Sequence, residues 1–115
     1  MQKEDCLFCK IARGEIPCKK IYEDEEKIAF YDINPAAPIH FLVIPKQHMT
    51  SLADATPEDS ALLGRILVCA KTLALQNGCG NGFRTVINTG KDGGQVVPHL
   101  HVHILGGAHP WKHEA

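Results

Sequence analysis

Three histidines alternate with apolar residues near the end of the chain, at His99, His101 and His103. Side chains alternate between the two faces of an extended strand, so the three imidazoles are expected on one face and the intervening Leu, Val and Ile on the other. Neighbouring rings would stand about 6.6 Å apart, twice the strand rise of ~3.3 Å. A neutral imidazole has one lone pair with which to attack phosphorus or carry protons. The middle ring, His101, has a neighbour on each side and is the favoured nucleophile.

Two other uses of these histidines remain open. Imidazole is a common zinc ligand, but the outer rings of an extended strand lie about 13 Å apart, so one ion takes two rings at most without a bend. A purely structural set is unfavourable, because clustered titratable rings lose hydration and repel one another when charged. The pattern therefore favours catalysis or phosphate binding over a metal site.

A glycine-rich loop, residues 90–94, precedes the histidine strand. Backbone N–H groups of Gly94, Gln95 and Val96 can be presented to a phosphate near His101, as in other anion-binding loops. The Asn88 side-chain amide can add a further donor. Because glycine pairs are also common in ordinary turns, the loop indicates phosphate binding only together with the neighbouring strand.

Cys6 and Cys9 form a Cys-x-x-Cys pair, which is half of a tetrahedral zinc site. The same pair would also suit redox-active or unligated thiols. Cys18, Cys69 and Cys79 have no such pairing; Cys69 is expected in the core, and Cys18 and Cys79 are expected to be loop thiols. With an odd number of cysteines and no visible secretion signal, a disulfide framework is not expected.

The remaining segments must position these residues. The patterns predict a short helix within 6–13, a hairpin of strands at 21–24 and 27–32, a strand at 39–45 that carries His40, a helix from Thr56–Pro57 to the glycines after residue 77, and strands at 83–89 and 99–105. This order predicts an α+β fold with an antiparallel sheet of about five strands, one long helix and one short helix. An edge strand of such a sheet can pair with a second subunit.

The chain has 115 residues, of which 44% are hydrophobic and 22% charged, so one domain spanning 1–115 with its own core is expected. The formal net charge of -1 argues against general attraction to nucleic acid or anionic membranes. No apolar run approaches the ~20 residues of a membrane helix, and no apolar signal segment is visible, which predicts a cytoplasmic protein.

The segment His99-Leu100-His101-Val102-His103-Ile104-Leu105 resembles the His-φ-His-φ-His-φ-φ signature of the histidine triad superfamily. Segments along nearly the whole chain resemble the bacterial histidine triad nucleotide-binding (Hint) branch, at residues 6–11, 14–17, 30–33, 38–46 and 93–95. The resemblance implies a homodimer whose sheets join across the interface. It also implies hydrolysis of purine nucleoside 5′-phosphoramidates to AMP or GMP and an amine, through a nucleotidyl-histidine intermediate.

The resemblance further implies a role for each matching histidine. His101 would attack the α-phosphorus, and His99 would help to orient it. His103 and His40 would contact the phosphate and assist proton movement. The remaining nucleotide contacts would be made by Asp32 to the ribose, by Ile33 and Leu42 to the base, and by Asn88 and Gly94 to the phosphate.

Val96 stands where the best-known members of the branch carry a serine that touches the phosphate. By a similar resemblance, to related nucleotidyltransferases and bacterial triad proteins, His48 and His99 would complete a structural zinc site with Cys6 and Cys9. Catalysis itself would require no cofactor. Two alternatives remain: a purine-nucleotide sensor or partner-binding dimer with incidental turnover, and a dinucleoside polyphosphate hydrolase.

Overall fold

The computed structural model describes residues 5–111, which contain one antiparallel sheet with the strand order β1-β2-β3-β5-β4. The strands are β1 (Lys20–Glu23), β2 (Lys27–Tyr31), β3 (Ile39–Pro45), β4 (Phe83–Val86) and β5 (Val102–Gly106). The helices are α1 (Leu7–Ala12) and α2 (Ser60–Gln76), with 3₁₀ turns at Leu52–Asp54 and Pro57–Asp59. The predicted fold class is confirmed. Within 5–111, no helix combines the length and apolarity needed to cross a membrane.

Both faces of the sheet are covered, because the alternating residues of β2 and β3 are apolar on each side. The first core cluster lies between the sheet and α2, and includes Phe41, Val43, Val102, Ile104, Ile66, Ala70 and Leu73. The second lies between the opposite face and α1, and includes Phe30, Leu42, Ile44, Phe8, Cys9 and Ile11. Full burial of each large apolar side chain contributes about 1.5–3 kcal/mol, so both clusters contribute to the stability of the fold.

Helix α2 begins where the sequence predicts, after a first turn in 3₁₀ form. The Thr56 N–H donates to the Asp59 carboxylate at 2.9 Å, which satisfies one of the unpaired amides of the helix start. The helix ends before Gly78, whose φ of +94° reverses the chain at little cost. Arg65 holds Glu26 in the β1–β2 turn with two hydrogen bonds of 2.7 and 2.8 Å, so helix and hairpin keep one relative position.

Two predicted strands are shorter than expected. The strand predicted at 83–89 ends at Val86, and the strand predicted at 99–105 begins only at Val102 and runs to Gly106. Pairing of β4 with β5 stops at Val86 and His103, after which the chain turns into the glycine-rich loop. Ahead of β5, the Leu100 N–H donates to Met49 O at 2.7 Å instead of joining the sheet. His99 and His101 therefore lie in a connecting segment, and only His103 lies in the strand.

Candidate active site and metal-binding cluster

His40 and His103 come together across the sheet although 63 residues separate them. The pairing of β3 with β5 sets Leu42 opposite His103 and His40 opposite Leu105, which places both histidines on the same face. His40 Nε2 lies 3.0 Å from His103 Nδ1. Asp32, just beyond β2, donates its N–H to His40 O, and its Oδ2 lies 3.5 Å from His40 Nε2. A carboxylate and two imidazoles thus form one chain of contacts.

The hydrogen bond from the Ala36 amide to His40 decides which nitrogen of each ring carries the proton. The Ala36 N–H donates to His40 Nδ1 at 3.0 Å, so in neutral His40 the proton sits on Nε2 and is donated to His103 Nδ1. The proton of neutral His103 then sits on Nε2. Burial lowers the pKa of His40, against the attraction of Asp32. Burial, with repulsion from His101 and His40, lowers the pKa of His103 to about 4. Both rings are therefore neutral at pH 7 before a ligand binds.

His101 extends this chain from the other side. Its ring centroid lies 4.9 Å from that of His103 and 5.1 Å from that of Phe8. Its Nδ1 lies 2.7 Å from the main-chain oxygen of His99. A carbonyl oxygen only accepts, so Nδ1 carries the proton and the lone pair is on Nε2. We call Asp32, His40, His101 and His103 the open cluster, because Asp32 and His103 are only half-buried.

A second cluster lies beside the first and contains Cys6, Cys9, His48 and His99; we call it the thiol cluster. His99 Nε2 lies 2.8 Å from Pro45 O and must donate to it, which leaves the lone pair on Nδ1. That Nδ1 lies 3.2 Å from Cys6 Sγ and 3.5 Å from Cys9 Sγ. His48 Nδ1 lies 3.4 Å from Cys9 Sγ. Burial lowers the pKa of His99 to about 4, so this ring also stays neutral.

The thiol cluster fits a tetrahedral metal ion. Its four ligand atoms all lie within 4.8 Å of one another, and Cys6, Cys9 and His99 are buried. Zinc bonds of ~2.3 Å to sulfur and ~2.0–2.1 Å to nitrogen require similar separations, and two thiolates with two imidazoles are a common zinc ligand set. The four residues expected from sequence do converge, so the cluster could hold a metal such as zinc.

The three imidazoles lie on the same side of the sheet, as predicted, since Phe8 of α1 contacts the rings of His99 and His101, and the ring of His101 contacts that of His103. The ring of His99 belongs to the thiol cluster, where it contacts Cys6, Cys9 and, edge-on, His48 at 5.0 Å between centroids. Its main-chain oxygen contacts His101 Nδ1 at 2.7 Å. Because β5 begins at Val102, His99 and His101 share this side with His103 although they lie ahead of the strand.

The glycine-rich loop is stabilised by its own polar groups. Gln95 Oε1 accepts from the Gly90 N–H at 2.8 Å, and Gln95 Nε2 donates to Thr50 O at 2.7 Å and Val97 O at 3.0 Å. The N–H groups of Gly94 and Gln95 donate to Lys91 O and Gly90 O. Those groups therefore hold the loop in shape, and their contact with a phosphate stays a prediction.

The other predicted nucleotide contacts differ in exposure. Ile33 is 98% exposed and Val96 is 89% exposed, so both offer apolar surface. Leu42 is 4% exposed and packs in the second core cluster, which leaves it little surface for a base. Asn88 is half-buried in the segment after β4. The roles assigned to these four residues stay predictions.

Sequence reasoning missed two groups that hold the histidines. Phe8, between the paired cysteines, contacts the rings of His99 and His101 edge-on, at 5.9 and 5.1 Å between centroids. The position of Phe8 within the Cys-x-x-Cys pair is the one feature of the sequence that could have predicted this contact. The Ala36 amide, which sets the tautomer of His40, lies in the loop between two prolines and carries no signal in the sequence.

Comparisons with known proteins agree with this fold. The profile of the HIT domain family matches residues 13–110. Protein HitA of Neisseria gonorrhoeae is 54% identical over 103 residues, covering 90% of this chain and 96% of that protein. A solved histidine triad protein from Clostridium difficile has a TM-score of 0.92 at 47% identity, over 99% of this chain and 100% of that one. A HIT family hydrolase from Legionella pneumophila has a TM-score of 0.89 at 49% identity, over 91% and 95% of the two chains.

Proposed function

This chain belongs to the HIT domain family, which includes hydrolases, and we propose that it hydrolyses purine nucleoside 5′-phosphoramidates. The products would be AMP or GMP and the free amine. The observation that carries the proposal is the fixed tautomer of His101: its Nδ1–H is held by His99 O, so Nε2 presents a lone pair beside His103. A neutral imidazole presented in this way is a competent nucleophile toward phosphorus.

The first step would transfer the nucleotide to the enzyme. His101 Nε2 attacks the α-phosphorus, the new N–P bond forms, and the P–N bond to the amine breaks with its electron pair leaving on the amine nitrogen. The amine takes a proton from the His40–His103 pair. The anionic phosphate favours that proton by raising the pKa of the pair, and the carboxylate of Asp32, 3.5 Å from His40, balances the charge.

The second step would restore the enzyme. A water molecule attacks the phosphorus, the bond to His101 breaks, and the water proton returns to the His40–His103 pair. The sum of the two steps is phosphoramidate plus water giving nucleoside monophosphate plus amine. The half-buried Asp32 would bind the ribose hydroxyls, exposed Ile33 would cover the base, and Asn88 and the loop at Gly94 would lie toward the phosphate.

Zinc would be held by Cys6, Cys9, His48 and His99. Four protein ligands leave no open position, so zinc bound there would supply structural stability and no Lewis-acid chemistry. Within residues 5–111 no cysteine forms a disulfide, which suits the reducing cytoplasm that we propose for this protein.

We further propose that residues 1–115 act as one domain within a homodimer. The two described core clusters share one continuous sheet, which supports the single domain. Of its two edge strands, β1 has an irregular register and pairs Lys20 with Glu23, both of which protect an edge. Strand β4 is the better candidate to pair with a second copy, and sedimentation at micromolar concentration would test it.

The test of the proposed function is release of AMP from adenosine 5′-phosphoramidate. Wild-type protein should turn over, and His101→Ala should lose at least about 10⁴-fold in kcat, as expected for removal of a nucleophile. AMP binding should persist in the variant, and the exposed-site control Lys71→Ala should match wild type. Wild-type protein that binds AMP without turnover would point to the nucleotide-binding alternative. Faster cleavage of a dinucleoside polyphosphate would point to the other hydrolase class.

A further inference from the structure

Three residues of the open cluster also have the spacing of metal ligands. One oxygen or nitrogen atom from each of Asp32, His40 and His103 lies within 4.8 Å of the other two. His40 Nε2 lies 3.0 Å from His103 Nδ1 and 3.5 Å from Asp32 Oδ2. Ligand atoms bonded to one ion at ~2.0–2.2 Å stand about this far apart, and two imidazoles with one carboxylate are a ligand set for divalent transition metals. Distance alone therefore does not keep metal ions out of the open cluster.

The Ala36 amide opposes metal binding by His40. Its N–H donates to His40 Nδ1, so the ring proton lies on Nε2 and points at His103 Nδ1. A metal ion needs the lone pair of His40 Nε2, so that proton would have to move to Nδ1. Two donors, the His40 Nδ1–H and the Ala36 N–H, would then face each other 3.0 Å apart with no acceptor between them. Because His40 is buried, its Nδ1–H would lack a partner, and that loss weakens metal binding.

His99, in the thiol cluster, has the opposite kind of backbone partner. Pro45 O can only accept, so it takes the His99 Nε2–H at 2.8 Å and leaves the lone pair of Nδ1 facing Cys6 Sγ at 3.2 Å. A carbonyl partner therefore turns a lone pair into the thiol cluster, whereas an amide partner turns a proton into the open cluster. Both clusters contain buried imidazoles, so the difference between them comes from these backbone groups.

We propose that the main-chain N–H of Ala36 excludes divalent metal ions from the open cluster and so directs such ions to the thiol cluster. Ala36 is thereby a positioning residue that acts through the His40 ring. An unpaired buried donor lowers the affinity for an ion by about 10- to 100-fold. The exclusion stands on the geometry around His40. Its consequence for catalysis rests on the proposed function, because an ion on His40 and His103 would take the place of the proton that the leaving amine receives.

The experiment replaces the amide by an ester, Ala36→lactate, which keeps the methyl group and the path of the chain and removes only the N–H. The control Ala55→lactate loses a comparable main-chain hydrogen bond, the one to Leu52 O at 3.0 Å. Each protein is loaded with one equivalent of zinc, which forms more stable complexes than Co²⁺, and is then titrated with Co²⁺ at pH 7. The visible bands distinguish Co²⁺ bound by thiolate from Co²⁺ bound by nitrogen and oxygen. Paramagnetic loss of histidine ring ¹⁵N signals locates the ion.

In Ala36→lactate we expect Co²⁺ to bind the open cluster at least about 10-fold more tightly than in wild type, with loss of the His40 and His103 signals. The control should match wild type. Co²⁺ should also inhibit hydrolysis by Ala36→lactate at concentrations that leave wild type active. Equal Co²⁺ affinity of Ala36→lactate and wild type would overturn the proposal and leave the proposed function standing. If wild type hydrolyses no phosphoramidate, the proposed function fails, and the titration still decides whether the amide excludes the ion.

If Ala36→lactate does not fold, the His40 ring of zinc-loaded wild type decides the question. Histidine ring ¹⁵N shifts report its tautomer without substrate. A single Nε2–H form of His40 that persists in excess Co²⁺ supports the proposal. An Nδ1–H form of His40, or loss of the His40 and His103 signals together at micromolar Co²⁺, would overturn it.

Discussion

The thiol cluster and the open cluster both contain buried, neutral histidines, but their partners differ. In the thiol cluster, the lone pairs of His99 and its neighbours converge on one point, with all four ligand atoms within 4.8 Å. In the open cluster, the ligand atoms of Asp32, His40 and His103 also lie within 4.8 Å of one another, but there are three of them, and the His40 ring hydrogen-bonds to His103, whose ring contacts His101. Four ligand atoms with two thiols suit a tetrahedral metal ion, whereas a series of hydrogen-bonded rings suits the movement of a proton.

The difference shows how hydrogen-bond anchors decide what a histidine does. His99 donates Nε2–H to Pro45 O and so turns its Nδ1 lone pair toward the thiols. His101 donates Nδ1–H to His99 O and so keeps its Nε2 lone pair for a reaction. Two histidines only two residues apart thus expose opposite nitrogens, because each has a different backbone carbonyl as its partner.

The largest contrast in stability should come from the cysteines. Replacing both thiols, Cys6→Ser with Cys9→Ser, should lower the free energy of unfolding of the zinc-loaded protein by more than about 3 kcal/mol, because structural zinc sites contribute part of their ~10–16 kcal/mol to folding. The control Cys18→Ser should change it by about 1 kcal/mol or less. Urea unfolding with zinc analysis measures both. Equal free energies of unfolding in the double variant and the control would show that no ion bound by the thiol cluster stabilises the fold.

In the open cluster, a substitution should reduce activity strongly and stability only slightly. His103→Gln should lower kcat by about 10²-fold, the size expected for loss of a proton-transfer group. Its free energy of unfolding should change by about 1 kcal/mol or less, because the ring is half-buried and completes no core cluster. Steady-state kinetics and urea unfolding on one preparation give both values. A large loss of stability with an unchanged kcat would show that His103 stabilises the fold and takes no part in proton transfer.

The smallest effect concerns pH. The pKa of His103 is lowered from 6.5 to about 4, so between these values the unfolded chain binds a proton that the folded protein does not. Stability from this ring is therefore present above pH 6.5 and is lost as the pH falls toward 4. Urea unfolding at pH 7 and pH 4.5 should show a smaller acid loss in His103→Gln than in wild type, since both carry the same thiol cluster. Equal losses of unfolding free energy in the two proteins would show that folding does not lower the pKa of His103.

Several features follow from local sequence and were predicted correctly. Strand β3 matches its predicted limits, and α2 starts after Thr56–Pro57 and stops before Gly78, because caps, prolines, glycines and apolar periodicity act within a few residues. The histidine signature and the Cys-x-x-Cys pair also identify chemistry from residue types at short spacing. The roles of the individual site residues remain predictions for the experiments above.

The family resemblance implied which histidine serves which cluster, and the tertiary structure supplies the contacts by which each one does so. The contact of His40 with His103 depends on the register of two strands, and that of His99 with Cys6 spans 93 residues of sequence. The sequence alone determined that three imidazoles and two thiols would be present in an α+β fold with one long helix. The tertiary structure then decided which ring nitrogen each histidine presents, because His99 donates to Pro45 O and His101 donates to His99 O, and such partners are set by folding and not by strand alternation.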